Sequence, residues 1–175
     1  FTGQMDYAPN ITAALRVMDR LLPRVRELLP KATFHVVGRN PADELVARDG
    51  RDGIHVWGGV EDMRTWLSAA DLALVPLEIA RGVQNKVLEA MAMARPVVAA
   101  EGCGSTIGAE PGREIVLAAD APAFVREVGA LLADPARAAA VGAAGRERVL
   151  ADYAWGANLA RIDDHIAAAL AARAA

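Results

Sequence analysis

The chain is 175 residues long, 54% hydrophobic, with a formal net charge of −3 at pH 7 and a single cysteine, Cys103. That length fits one domain able to bury roughly two-thirds of its unfolded surface. The charge offers no field to recruit nucleic acid or an anionic membrane, one cysteine closes no internal disulfide and fits a reducing compartment, and no apolar run is long enough to span a bilayer.

In chain order, short apolar runs alternate with amphipathic stretches. The pattern predicts strands at Phe1–Gly3, Thr33–Val37, Ile54–Val56, Leu72–Val75, Pro96–Ala99 and Ile115–Leu117. Helices are expected at Asn10–Leu29, Pro41–Arg48, Asp62–Ala69, Asn85–Ala94, Ala121–Leu132, Ala136–Asp152 and Ala154–Ala172. Turns fall at Gly38, Gly50, Gly53, Gly58–Gly59, Pro76, Gly102–Gly104 and Gly112. Strands and helices in alternation imply parallel strands joined by right-handed crossovers. Nearly uniform apolar strands imply a sheet covered on both faces. The expected architecture is therefore a doubly wound, Rossmann-like α/β domain over residues 1–175, with extra helices at its C-terminal end. Tyr153 and Trp155 are expected to anchor the last of them. The chain opens at Phe1 inside an apparent strand, without a methionine or a charged-then-apolar leader, so a piece of a longer protein is expected.

Open parallel sheets bind ligands beyond the carboxyl ends of their strands, beside helix N-termini. The loops to search are Gly3–Pro9, Gly38–Asn40, Gly58–Glu61, Pro76–Gln84 and Ala100–Gly112. The richest segment is DLALVPLEIARGVQNKVLEAMAMARPVVAA, from Asp71 to Ala100. At about 100° per residue, Val87, Leu88, Met91 and Ala94 share a helix face suited to burial, while Lys86, Glu89 and Met93 share one pointing away. A cation and a carboxylate one turn apart at the ligand edge can serve one ligand, the ammonium meeting phosphate and the carboxylate accepting from paired hydroxyls. The same spacing also fits a surface ion pair worth about 0.2–0.5 kcal/mol.

The segment resembles the signature of "group 1" nucleotide-sugar glycosyltransferases of the GT-B fold. LEAMAMARPVV and GREIVL follow that family in order, as do FTG with YAPN, VVGRNP and HVWGGVEDMRTWLSAADLALVP. The resemblance covers the whole chain but only the second, donor-binding half of the family's two-domain fold. MDYAPN with IARGVQNKVLEAMAMARPVV looks closest to sugar transferases of exosortase (PEP-CTERM) exopolysaccharide loci. The resemblance implies transfer of a sugar from a nucleoside-diphosphate donor to a sugar or lipid-linked hydroxyl acceptor, with retention and without a metal. It implies a bacterial, cytoplasmic enzyme, peripheral at the inner membrane face through an N-terminal half that this chain lacks, and a fragment inactive alone.

Position by position, Glu89 matches the second glutamate of the family's E-x7-E motif, which binds the donor ribose. The first glutamate falls on Arg81, a departure. Val83, Gln84 and Asn85 match the stretch whose amides face diphosphate and sugar. The opening loop holds Gly3, where backbone approaches closely, but lacks the arginine and lysine that relatives place there, so Lys86 is the candidate replacement and Arg81 a second cation for phosphate or sugar. Gly38, Arg39, Val60 and Glu61 are expected to frame the base. His35 and His55 read as packed or edge histidines, Arg39 equally as a solvated loop residue, and Cys103 as structural. A 2-epimerase sharing the architecture is a rival, although the LEAMA helix argues against it. A receiver module would need acidic clusters, and a dinucleotide site G-x-G-x-x-G; neither is present.

Overall fold

The computed structural model describes residues 1–78, 82–104 and 106–174, except some side chains of the last helix. Arg81 therefore lies outside the described residues. Among the described residues five strands run parallel: β1 Phe34–Val37, β2 Ile54–Trp57, β3 Ala73–Val75, β4 Val97–Ala100 and β5 Val116–Ala118. They divide into two ladders, β1–β2 and β3–β4–β5. The expected opening strand is reduced to a single parallel bridge, Thr2 to Val37. Phe1 still contributes, since Val37 N–H donates to the Phe1 carbonyl at 2.9 Å and the Phe1 amino group donates to His35 O at 2.9 Å. A cavity of about 360 Å³ is lined by Phe1, Leu21, Phe34, Leu74 and Phe124 among others.

Alternation along each strand builds a core on both faces. Leu74, Val98 and Val116 point to one cluster, with Val36, Leu21, Phe124 and Leu131. Ala73, Val75, Val97 and Ala99 point to the other, with Val87, Met91, Cys103 and Ile115. The doubly wound α/β reading thus holds.

Helices α1 (Ala8–Arg16) and α2 (Leu22–Leu28) flank a π-helical turn, Val17–Leu21, where one helix was expected. Pro23 has no N–H for the Asp19 carbonyl, and the chain absorbs this by sending Leu22 N–H to Val17 O. Then follow α3 (Asp43–Val46), shorter than expected, α4 (Met63–Ala69) and α5 (Asn85–Ala92). Ala94 lies beyond the end of α5 at φ 53°, so it cannot share the buried face; Val87, Ala90 and Met91 form that face, with Leu88 half-buried. A short helix, α6 (Glu101–Gly104), occupies what had read as loop. The chain closes with α7 (Ala121–Ala133), α8 (Pro135–Asp152) and α9 (Trp155–Ala174). Tyr153 does anchor the start of α9, its hydroxyl donating to Ile107 O at 3.0 Å. Trp155 does not: it is 81% exposed.

Candidate functional site

The helix starts differ in how their orphan N–H groups are met. Asp62, Asp120 and Asp134 cap α4, α7 and α8, accepting from Arg64, Ala123 and Arg137 N–H. Helices α1 and α5 carry no side-chain cap, and neither does the short α3. The N-termini of α1 and α5 adjoin the opening loop and the loop after β3, two of the loops where a ligand is expected. Asn10 and Ile11 N–H return to Tyr7 O, and Val87 and Leu88 N–H to Gln84 O, so what both starts offer an anion is the positive end of the helix dipole.

Lys86 lies in the first turn of α5, and the structure turns it inward rather than into solvent. Its Nζ donates to Asn10 Oδ1 at 2.6 Å and sits 4.2 Å from the centroid of the Phe1 ring. The ammonium is thereby delivered to the opening loop. A Cβ built on Gly3 would lie 3.1 Å from Lys86 Nζ and 2.8 Å from Asn10 Nδ2. Gly3 has φ 150°, and Gly38 has φ 158° against it, where a Cβ would collide with the Gly3 carbonyl. Both glycines are dictated by this close approach. Desolvation pulls the Lys86 pKa down to about 8, opposed by Cys103 and Glu89. Burial pushes the Glu89 carboxyl up, with Lys86 pulling it down. Lys86 is half-buried and Glu89 exposed one turn on, with no ion-pair contact between them, so both charges remain open to a ligand.

Val83 and Asn85 are exposed and Gln84 half-buried at the start of α5, where Gln84 Nε2 donates to Gly82 O at 3.3 Å. On the other side, the opening loop is sewn to the loop after β1. Met5 N–H donates to Arg39 O at 2.8 Å, Ala42 N–H to Met5 O at 3.2 Å, and Asn40 Nδ2 to Asp6 Oδ2 at 3.1 Å. Arg39 is exposed, with its stem across Gly59: a Cβ there would meet Arg39 Cγ at 3.1 Å. Val60 is half-buried and Glu61 exposed just beyond. The structure thus joins Gly3, Gly38 and Lys86 in one cluster and Arg39 with Gly59 in a second. Among the described residues, no group of three or more His, Cys, Asp or Glu side chains is arranged to hold a metal ion.

A family model for glycosyl transferases group 1 matches residues 1–134. The chain belongs to that family. It is 33% identical over 164 residues to a GDP-mannose-dependent alpha-(1-6)-phosphatidylinositol monomannoside mannosyltransferase of Mycolicibacterium smegmatis, covering 83% of this chain and 43% of that protein. It thus spans less than half the length of the curated relatives it matches. The Anabaena protein HepE in complex with UDP superposes with a TM-score of 0.69 at 19% identity, over 87% of this chain and 44% of that one. The C-terminal domain of a glycosyl transferase group 1 family protein from Francisella tularensis superposes at 0.67 and 16% identity, over 88% of this chain and 85% of that chain.

Two features of this group 1 domain were not legible in its sequence. Asn10, 7% exposed, had read only as the start of a helix. Glu114, 5% exposed, had read only as part of a strand approach; it accepts from Arg148 Nε at 2.9 Å and Nη2 at 3.3 Å, and from Glu110 N–H at 2.8 Å. The bond to Arg148 holds its carboxyl below the usual range and ties α8 to the segment before β5. His35 and His55 stack at 4.8 Å on β1 and β2. His35 Nδ1 accepts from Trp57 Nε1 at 3.1 Å, which leaves Nε2 protonated toward Thr33 Oγ1. They are strand-packing groups. Cys103 is fully buried on α6. Among the described residues no helix is long and apolar enough to cross a membrane.

Proposed function

We propose that this chain is the donor-binding domain of a glycosyltransferase that moves a sugar from a nucleoside-diphosphate donor to a hydroxyl acceptor. The observation that carries this is the Lys86 ammonium held at Gly3. The opening loop contains no cation of its own, and α5 supplies one through Asn10, 76 residues before Lys86 in sequence. In this reading the diphosphate lies between the opening loop and the uncapped start of α5, with amides of Val83, Gln84 and Asn85 toward it. Glu89, one turn on, accepts the ribose hydroxyls. Arg39, Gly38, Val60 and Glu61 frame the base. Arg81 takes the place of a sugar-contacting carboxylate and meets phosphate or sugar bidentately.

The chemistry follows from charge. As the bond from the anomeric carbon to the donor phosphate breaks, negative charge grows on the departing diphosphate. A fixed ammonium and fixed backbone N–H groups in a partly dry site stabilise that charge without reorganising. The acceptor and any group acting from across the cleft belong to a second, N-terminal half, and we place the whole enzyme at the inner membrane face. Retention, independence of metal and a part in polysaccharide or glycoconjugate synthesis at an exosortase-type locus complete the proposal, resting on the sequence signature. The mannosyltransferase named for its GDP-mannose donor and the UDP-bound Anabaena fold support the donor class and leave the base open.

A thermal-shift panel of nucleoside diphosphates and nucleotide sugars, with and without chelator, tests it. We expect stabilisation by at least one diphosphate, unchanged by chelator, and no sugar transfer by this chain alone. Stabilisation by none of them removes the donor site; loss with chelator removes the metal-free reading.

A further inference from the structure

Asn10 is nearly buried, yet each end of its carboxamide is used. Oδ1 accepts from Lys86 Nζ at 2.6 Å, and Nδ2 donates to the Gln4 carbonyl at 2.9 Å. An ammonium only donates and a carbonyl only accepts, so the orientation of the amide is fixed by chemistry. Its backbone is held as well, with Asn10 N–H donating to Tyr7 O at 2.9 Å. A single side chain thus joins the opening loop, α1 and the first turn of α5.

We propose that Asn10 is the positioning residue of the donor site: its carboxamide docks the Lys86 ammonium in the opening loop, so that the diphosphate meets a fixed cation. This rests on the donor-site reading above. A neutral partner is the point. An aspartate would neutralise Lys86 at the same distance, whereas the carboxamide orients the ammonium and leaves its charge for an anion. Among the described residues Lys86 makes no ion pair within 4 Å. Its other neighbours are the Phe1 ring at 4.2 Å, the Phe1 amino group, Glu89 on its own helix and Cys103 on α6. Gly3 leaves the space in which carboxamide and ammonium meet.

The test is the pH dependence of diphosphate binding. GDP and UDP, and as controls guanosine and uridine, are titrated into the chain, Asn10→Ala, Asn10→Asp and Lys86→Ala between about pH 7 and pH 9, a window set by the lysine. In the unaltered chain affinity for the diphosphate falls as pH rises through about 8, where Lys86 loses its proton. Removing the accepting oxygen destabilises the charged form, so in Asn10→Ala the midpoint moves down and affinity at pH 7 drops about tenfold. In Asn10→Asp the carboxylate stabilises the ammonium, so the midpoint moves up while affinity weakens. Nucleoside binding moves in neither. A purely structural asparagine would shift melting temperature and leave both midpoints where they were, and that result overturns the proposal. Asn10→Asp keeps the side chain's size and carries the test if Asn10→Ala does not fold. Failure of the donor-site reading looks different: neither diphosphate binds the unaltered chain, or Lys86→Ala keeps the full pH dependence.

Discussion

Adding one methyl at Gly3 perturbs the proposed site without touching a charge. Gly3→Ala forces a side chain onto φ 150°, a region reserved in practice for glycine, at a cost of roughly 1–3 kcal/mol. The new Cβ would lie 2.8 Å from Asn10 Nδ2 and 3.1 Å from Lys86 Nζ, both inside ordinary contact distance. The carboxamide must retreat, and its bond to Gln4 O, now 2.9 Å, is lost for about 1 kcal/mol more. The sum, about 2–4 kcal/mol, lowers the melting temperature by roughly 4–16 °C in a chain of this size. Diphosphate affinity falls too, because Lys86 is pushed from the loop, while nucleoside affinity is largely kept. Gly58→Ala is the control, since a Cβ there meets nothing within 4 Å, and a change within about 0.5 kcal/mol is expected. Differential scanning fluorimetry and calorimetric titration read both effects. A Gly3→Ala chain that melts with the unaltered one and binds GDP or UDP as well would refute the close-approach argument.

Glu89→Ala weakens diphosphate binding by about 1–3 kcal/mol, the range of a charged hydrogen-bond partner. It affects a 2′,3′-dideoxy analogue much less; equal losses would mean Glu89 does not read the ribose. Glu114→Gln lowers stability by about 2–3 kcal/mol, less than for a fully dry pair, because Arg148 keeps some water and bonds Asp152 at 2.9 Å; denaturant melts measure it. The Glu114 carboxyl lies below its ordinary value in the fold, so the stability it brings is complete above the unfolded value of about 4.3 and lost as pH falls through the folded one. Acid melts of Glu114→Gln should therefore show a shallower loss in that window, and parallel curves would contradict the assignment.

Periodicity and glycine spacing located the five strands and, α3 being shorter than expected, six longer helical segments among the described residues, because burial on a period of 2 or 3.6 leaves a direct trace in composition. The π-helical turn escaped, since a proline within a helix does not say whether it breaks, kinks or bulges the ladder. The short helix at Glu101–Gly104 escaped because EGCG carries no periodic signal. At the site, spacing paired Lys86 with Glu89 on an outward face, and Glu89 is exposed there, whereas the Lys86 ammonium turns back to the opening loop. The inward turn of Lys86 depends on a polar acceptor 76 residues away, Asn10, and such a long-range pair has no local signature. Glu114 and Arg148 were hidden likewise, 34 residues apart.

Lys86 is the cation that waits for phosphate, and calorimetric titration of GDP and UDP against guanosine and uridine at pH 7 tests that role most directly. The diphosphate should bind more tightly than its nucleoside, by about 1–3 kcal/mol attributable to Lys86, and Lys86→Met should remove that margin while leaving the nucleoside unchanged. A margin that survives Lys86→Met would contradict the account.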